Sequence, residues 1–240
     1  MEHQWIRQEM LLGQEAMERL SRSHVAVFGI GGVGSYCVEA LARAGIGRLT
    51  LIDHDTVGVT NLNRQLCALH STLGQSKAEV MGKRVLDIHP QCQVRPLVGM
   101  YTPAACADFF GDYDYIVDAI DTVSCKLSLI EQAMHRGIPI ISAMGTGNKL
   151  DPTQFQITDI SKTTDCPLAR VVRKELRARG ILHHTVLYSK EEPRTPQLPQ
   201  DEAPPPGRRS IPGSVSWVPS CAGLMLAGYV VQQLGTPAGS

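Results

Sequence analysis

Short apolar runs alternate with longer amphipathic stretches between His24 and Ile141. The β-rich runs read HVAVFGI, RLTLID, QVRPLV, YDYIVDAID and IPIIS. Helical patterns lie between them: one that ends at Ala44, one from Lys77 to Ile88, and one from Cys125 to Arg136. Such alternation is typical of a parallel sheet covered by helices. The sequence therefore predicts an α/β fold, Rossmann-like, with a mostly parallel sheet and helices on both of its faces.

The segment before this pattern, Arg7 to Leu20, has apolar residues at helical spacing: Met10, Leu11, Met17 and Leu20. That spacing predicts one helix that lies against the body of the protein.

After Asp151 the pattern changes to FQITDI, a helical stretch from Pro167 to Arg179, the strand-like run HHTVLYS and an apolar segment from Val215 to Leu234. Proline, serine and several glycines interrupt this last segment, which is close to the length of about 20 residues that a membrane span needs. We interpret it as a core helix and expect no membrane span. Membrane contact of this helix is the alternative.

Length and composition favour a single domain over residues 1–240. The chain has 240 residues, 43% of them hydrophobic, which is enough for one good-sized core. Residues 191–213 (EEPRTPQLPQDEAPPPGRRSIPG) are too rich in proline and polar residues to pack, so we expect a mobile loop there. The start MEHQWIRQEM has no apolar signal core, which predicts a cytoplasmic protein.

Charge and cysteine usage exclude several classes of protein. Lys plus Arg and Asp plus Glu both number 23, so no global field recruits a polyanion, which would need a local patch. The basic positions at helical spacing are Arg170, Arg173, Lys174, Arg177 and Arg179, with Arg208 and Arg209 in the proline-rich loop. They form a candidate stripe for nucleic-acid phosphates, with an ordinary solvated helix face as the alternative. The seven cysteines include no C-x-x-C pair, which argues against a disulfide framework and a structural zinc site.

A glycine-rich motif directly follows the first predicted strand. Gly29, Gly31 and Gly34 form G-x-G-x-x-G between VAVF and a helix, a context in which backbone amides and a helix N-terminus bind phosphate. Asp53 ends the next strand, where an acid accepts the ribose hydroxyls. These residues indicate an adenine nucleotide, and on this motif alone a dinucleotide-binding dehydrogenase is the favoured interpretation.

Two cations and several amides follow in TNLNRQ (residues 60–65) and at Lys77, the predicted start of the next helix. A triphosphate under attack at its α-phosphorus gathers charge on the leaving pyrophosphate, which cationic side chains such as Arg64 and Lys77 stabilise. The alternative is a solvated polar loop with a surface lysine.

Asp118 and Asp121 lie at the carboxyl end of the run YIVDAID, where ligands bind in open α/β sheets. A carboxylate there can hold Mg²⁺ against the phosphates. For Asp121 the alternative is that it caps the following helix.

Longer motifs resemble a known superfamily. GIGGVGSYCVEALARAGIGRLTLIDHDTV, TNLNRQ, GQSKAEVM and VDAIDT look like the ATP-binding fold of ubiquitin-activating, ThiF and MoeB enzymes, which adenylate a carboxyl terminus. VLDIHPQCQV, DPTQFQITDISKTTDCPLARVVRKELRARGI, YSKEEP and PGSVSWVPSCAGLMLAG resemble the tRNA threonylcarbamoyladenosine dehydratases over nearly the whole chain.

This resemblance implies ATP and Mg²⁺ as cofactors and roles for individual residues. The nucleotide loop would be shaped by Gly29, Gly31, Gly32 and Gly34, and the ribose would be held by Asp53. The residues that would face the phosphates are Asn61, Asn63, Arg64, Gln65 and Lys77. Asp121 would be the magnesium aspartate. Arg7 precedes Gly13 as in the R-x(5)-G start of the family and would act in the site of a partner subunit, which implies a homodimer. The implied catalytic residues are Arg7, Arg64, Lys77 and Asp121.

The implied activity is ATP-dependent dehydration of threonylcarbamoyladenosine beside a tRNA anticodon. Its threonyl carboxylate would become an acyl-adenylate, and the carbamoyl nitrogen would then close a five-membered ring. An enzyme thiol is not required, in agreement with Cys166 and Cys221, whose spacing does not mark a nucleophile. The alternatives are an adenylating activator of a ubiquitin-like sulfur carrier and an NAD-dependent oxidoreductase. A sulfur-relay protein as a further partner stays open.

Overall fold

A seven-stranded sheet runs through the part of the chain that the computed structural model describes, residues 3–197 and 212–237. The strands are β1 (His24–Phe28), β2 (Arg48–Asp53), β3 (Gln93–Val98), β4 (Tyr115–Asp118), β5 (Ile140–Ala143), β6 (Phe155–Asp159) and β7 (Thr185–Ser189). Their order is β3-β2-β1-β4-β5-β7-β6, and every pairing is parallel except β6 with β7. The predicted mostly parallel α/β sheet is confirmed.

Helices cover both faces of this sheet. They are α1 (Ile6–Leu12), α2 (Gln14–Arg22), α3 (Gly34–Arg43), α4 (Lys77–Ile88), α5 (Val123–His135), α6 (Pro167–Ala178) and α7 (Trp217–Gly235). Because side chains alternate along a strand, Val25 and Val27 of β1 pack with α2, α3, α4 and α7, whereas Ala26 and Phe28 pack with α5 and α6. The two hydrophobic cores therefore share one sheet.

The apolar C-terminal segment forms α7, which packs closely on α3. A Cβ atom added to Gly223 would lie 2.3 Å from the carbonyl oxygen of Val33, so only glycine permits this approach of the two helices. Val218, Leu226 and Val230 of α7 are fully buried. Within the described residues no helix is long and apolar enough to cross a membrane, which agrees with the interpretation as a core helix.

The prediction of one N-terminal helix from Arg7 to Leu20 is wrong. The chain breaks at Gly13, whose φ of 81° lies in the region that favours glycine, and two short helices result. Leu20 is buried as expected, but Met10 and Leu11 are 78% and 86% exposed. The helix α1 therefore presents apolar side chains outward.

The predicted mobile loop falls mostly outside the described residues, which exclude 198–211 and with them Arg208 and Arg209. The described parts of this predicted loop, on both sides of residues 198–211, form hydrogen bonds with Asn148. Asn148 accepts a hydrogen bond from the N–H of Arg194 on its backbone carbonyl and one from the N–H of Gly213 on its side chain, and its own N–H donates to the Gly213 carbonyl. The assignment of residues 1–240 to a single domain stays a prediction.

Candidate active site

A cleft of about 280 Å³ opens at the carboxyl ends of the parallel strands. The chain segments that follow β1, β2, β3, β4 and β5 line it, together with the beginning of α7. The predicted residues that line it are Gly29, Gly31, Gly32, Asp53, Arg64, Gln65, Lys77 and Asp121. This edge is where ligands bind in open α/β sheets.

The glycine loop is held in a shape that only glycine permits. Gly29 has a φ of 87°, and a Cβ atom there would lie 2.7 Å from the carbonyl oxygen of Ala119. A Cβ atom on Gly34 would lie 1.8 Å from the carbonyl oxygen of Gly29, so Gly34 shapes the loop without lining the cleft. The loop leads into the N-terminus of α3, which favours an anion such as phosphate.

Asp53 joins the glycine loop to the end of β2. Its Oδ2 accepts a hydrogen bond from the N–H of Ile30 at 2.6 Å, and its Oδ1 accepts one from the N–H of Asp55 at 2.8 Å. The side chain is nearly buried but lines the cleft. It is therefore a carboxylate fixed by two backbone amides, in the position where the sequence predicts a ribose contact.

The segment of residues 60–65 contributes Arg64 and Gln65 to the cleft, whereas Asn61 and Asn63 are outside its lining. Asn61 Oδ1 accepts a hydrogen bond from the N–H of Gly58 at 3.0 Å, which shapes the turn. Asn63 donates to the carbonyl of Ser214 and accepts from Arg64, whose guanidinium also donates to the Thr60 carbonyl.

The hydrogen bonds to Thr60 and Asn63 thus fix the orientation of the Arg64 guanidinium. Partial burial lowers the pKa of Arg64, but an arginine pKa starts so far above neutrality that the side chain stays charged.

Lys77 begins α4 and is nearly buried beside the cleft. Its Nζ lies 2.7 Å from Oδ2 of Asp55, and Nε2 of His54 lies 3.2 Å from Oδ1 of the same carboxylate. The potential ligand atoms of Asp53, His54 and Asp55 all lie within 4.8 Å of one another. Lys77 therefore balances the charge of Asp55, whereas two backbone amides stabilise the charge of Asp53.

The two aspartates near the end of β4 have separate positions. Asp118 is completely buried and forms an ion pair with Lys126, at 2.6 Å between Oδ2 and Nζ. Asp121 is exposed, lines the cleft and accepts a hydrogen bond from the hydroxyl of Thr122 at 3.3 Å. Of the two carboxylates at this strand end, only Asp121 can meet a ligand in the cleft.

Arg7 lies on α1, exposed and away from the cleft. The N-terminal segment contacts the far end of α3, where Trp5 donates to the carbonyl of Arg43 and Gln8 to that of Ala44. The glycine loop precedes the opposite end of this ten-residue helix, roughly 15 Å away at 1.5 Å per residue. Arg7 therefore does not join the other predicted site residues within its own chain.

Several cleft residues escape sequence reasoning. Met100 and Tyr101 follow β3, Thr146 follows β5, Ser214 precedes α7, and Pro219 lies in the first turn of α7. For the first three, their place after a strand could have been the signal. Burial raises the pKa of Tyr101 to about 12, and its hydroxyl lies 3.2 Å from that of Ser128.

Five of the seven thiols are buried, and Cys106 and Cys221 are partly exposed. Cys125 lines the cleft but is only 4% exposed, and Cys166 is buried. Burial raises the pKa of both Cys67 and Cys92 to about 11, which keeps these thiols protonated at neutral pH.

Comparison with known proteins agrees with this geometry. The model of the ThiF family matches residues 6–238, which is nearly the entire chain. The chain belongs to the ThiF family. Among members of the ThiF family, a tRNA threonylcarbamoyladenosine dehydratase of Bacillus subtilis (strain 168) is 47% identical over 97% of this chain and 94% of its own length.

Two further relatives define the range of the similarity. The crystal structure of the E. coli tRNA N6-threonylcarbamoyladenosine dehydratase TcdA in complex with ATP has a TM-score of 0.85 and 36% identity, over 96% of this chain and 93% of that one. A molybdopterin-synthase adenylyltransferase of E. coli (strain K12) is 34% identical over 61% of this chain and 58% of its own length. The similarity to the dehydratases therefore extends through parts of the chain that the adenylyltransferase alignment does not cover.

Proposed function

We propose that this member of the ThiF family is an ATP-dependent tRNA threonylcarbamoyladenosine dehydratase. The observation that carries the proposal is the similarity to a dehydratase of this kind at 47% identity over 97% of the chain. The cleft supports it, because a glycine loop, a helix N-terminus, Arg64 and an exposed Asp121 line or adjoin one cavity. ATP is the nucleotide bound in the matching E. coli structure.

Adenylation is the first step of the proposed reaction. An oxygen of the threonyl carboxylate attacks the α-phosphorus of ATP, the bond to the bridging oxygen breaks, and pyrophosphate leaves with the electron pair. The glycine loop amides would hold phosphate oxygens, and Arg64 and Lys77 would stabilise the charge that develops on the leaving group. For this, Lys77 would turn from Asp55 toward the phosphates.

Asp121 would hold Mg²⁺ in this site. Magnesium is commonly bound through one or two carboxylates, phosphate oxygens and water, and an exposed carboxylate oxygen beside the glycine loop suits that donor set. When bound, the ion would supply charge compensation for the triphosphate.

Ring closure is the second step. The carbamoyl nitrogen attacks the activated carbonyl carbon and loses its proton, and AMP leaves, so that one water is removed overall. Intramolecular attack has an effective molarity of about 10⁵ M or more, so an enzyme thiol is not needed. The buried state of Cys125 and Cys166 supports this mechanism.

A basic face of α6 would meet the tRNA. Arg170, Lys174 and Arg177 are exposed on one side of the helix, and none of them has an ion-pair partner within the described residues. Arg173 instead donates to Thr163, and Arg179 pairs with Glu131 and Glu175. The proposed phosphate-contacting set is therefore narrower than the predicted stripe.

The active unit would be a homodimer in which Arg7 completes the site of the partner subunit. The distance between α1 and the cleft of the same chain supports this role, and so do the exposed apolar side chains of Met10 and Leu11. Activity in the cytoplasm and assistance by a sulfur-relay protein are further parts of the proposal that follow from the family resemblance.

AMP release from ATP separates the candidate functions. It is measured after addition of modified tRNA, of the same tRNA without the modification, or of a ubiquitin-like carrier protein. We expect stimulation by tRNA that contains threonylcarbamoyladenosine and none by the same tRNA without the modification. Stimulation by a ubiquitin-like carrier protein instead would favour the activator function, and NADH binding without ATP binding would favour an oxidoreductase.

A further inference from the structure

A buried ion pair lies directly beneath the cleft. Asp118, the last residue of β4, and Lys126 of α5 are both completely buried, and Nζ lies 2.6 Å from Oδ2. Neither side chain lines the cleft, although Cys125, the neighbour of Lys126, does. A buried ion pair adds little net stability to a fold, because desolvation of the two charges offsets much of their attraction. Stability alone therefore does not explain this pair.

The second oxygen of Asp118 shapes the turn that carries Asp121. Oδ1 accepts a hydrogen bond from the N–H of Ile120 at 3.0 Å, and Ile120, Asp121 and Thr122 all line the cleft. Lys126 holds one oxygen of Asp118 while the backbone of the turn binds the other. The orientation of this carboxylate therefore determines where the turn lies.

The same turn supports the glycine loop. The N–H of Ala119 donates to the carbonyl of Phe28 at 2.8 Å, and the space beside Gly29 where a side chain would lie is filled by the Ala119 carbonyl. This backbone contact does not involve Asp118, so loss of the Asp118 carboxylate would release Ile120 and the following Asp121 while Ala119 still supports the glycine loop.

The nearby polar side chains of His184 and Ser142 bond to each other. His184 bonds through Nε2 to the hydroxyl of Ser142 at 2.8 Å. Burial, and secondarily the charge of Lys126, lowers the pKa of His184 to about 3, so the imidazole is neutral at neutral pH. Lys126 is thus the cationic group that fixes Asp118.

We propose that the Asp118–Lys126 pair positions the turn of residues 119–122, and thereby Asp121, for binding of Mg²⁺ together with ATP. This inference rests on the proposed function. Both residues are positioning residues that act through the turn and do not touch the nucleotide. Partners that orient metal ligands typically change metal affinity by about 10- to 100-fold.

The test is a titration of Mg²⁺ against ATP binding, measured by calorimetry on the full chain without any turnover. The variant Asp118→Val/Lys126→Met removes the acceptor for Ile120 and both charges, and it leaves no lone buried charge that would prevent folding. We expect ATP to bind in the absence of Mg²⁺ with an affinity within about threefold of wild type. The Mg²⁺ concentration that gives half of the maximal tightening should rise about tenfold or more.

Ser142→Ala is the matched control, because it removes a buried hydrogen bond from the same layer without touching the turn. It should leave the Mg²⁺ dependence unchanged, even where its melting temperature falls. A folded double variant with the wild-type Mg²⁺ dependence would overturn the positioning role. Absence of ATP binding to the wild-type protein would contradict the proposed function itself, which makes the two failures distinguishable.

Discussion

The carboxylate of Asp53 accepts a hydrogen bond from the N–H of Ile30, with 2.6 Å between Oδ2 and the nitrogen. This contact joins the end of β2 to the glycine loop that follows β1. The acid predicted to contact a ribose thus also fixes the loop predicted to contact phosphate.

Removal of this carboxylate should weaken ATP binding. Asp53→Ala leaves the N–H groups of Ile30 and Asp55 without their acceptor, and hydrogen bonds to charged groups contribute about 1.5–3 kcal/mol. We expect the Kd for ATP, measured by calorimetry, to rise at least about tenfold, roughly 1.4 kcal/mol. Asp87→Ala removes an exposed carboxylate near the far end of α4 and should leave the Kd unchanged. An unaltered Kd for Asp53→Ala would exclude this role of the residue.

Replacement of thiols should have little effect on dehydration. The triple variant Cys125→Ser/Cys166→Ser/Cys221→Ser removes the thiol that lines the cleft, the buried Cys166 and the partly exposed Cys221. Because ring closure supplies its own nucleophile, the rate with saturating ATP and tRNA should stay within about tenfold of wild type, or 1.4 kcal/mol. A larger loss in the folded variant, with accumulation of a covalent intermediate in mass spectrometry, would indicate thiol catalysis.

Charge removal on α6 should weaken tRNA binding and change its salt dependence. Replacement of Arg170, Lys174 and Arg177 by Gln should raise the Kd for tRNA and reduce the slope of log affinity against log salt by about 2 to 3, because each lost phosphate contact contributes roughly one unit. Binding of ATP should not change.

The matched control removes three charges elsewhere. Arg22, Lys83 and Arg95 are exposed on α2, α4 and β3, away from α6. Their replacement by Gln should leave the slope near that of wild type. If both triple variants reduce the slope equally, α6 is an ordinary solvated helix and not the surface that contacts tRNA.

The role of Arg7 in a partner subunit predicts complementation between inactive variants. Arg7→Ala and Asp121→Ala should each be nearly inactive. After random subunit exchange about half of the dimers are mixed, and each mixed dimer has one intact site, so about a quarter of the wild-type activity should return. If Arg7 serves its own chain, a mixed dimer has no intact site, and activity stays absent even though subunit exchange is verified.

The sheet could be predicted because each strand is a short β-rich run with a helical pattern on either side. The predicted bounds of α4, Lys77 to Ile88, agree with the structure for the same reason, since Ser76 caps its start and His89 ends it. Periodicity could not reveal the break at Gly13, because the apolar spacing continues across it. The conformation of that glycine, not the pattern, ends α1.

The site could be predicted only in part. The residues after β1, β2 and β4 were identifiable because the carboxyl ends of parallel strands meet at one edge. Ser214 and Pro219 reach the cleft from a distant part of the chain, and no local pattern indicates that approach. Position at the strand end could not separate Asp118 from Asp121, because Asp118 is buried against Lys126 on the next helix; only the family resemblance indicated Asp121.

The most direct measurement of the central claim is mass spectrometry of the anticodon-loop nucleoside after incubation of modified tRNA with the protein, ATP and Mg²⁺. We expect threonylcarbamoyladenosine to lose the mass of one water, and we expect this loss to require ATP. Asp121→Asn, whose fold should be intact, should give no product and no ATP–pyrophosphate exchange. An unchanged nucleoside mass with the wild-type protein, while ATP binds and the tRNA is fully modified, would contradict the proposed function.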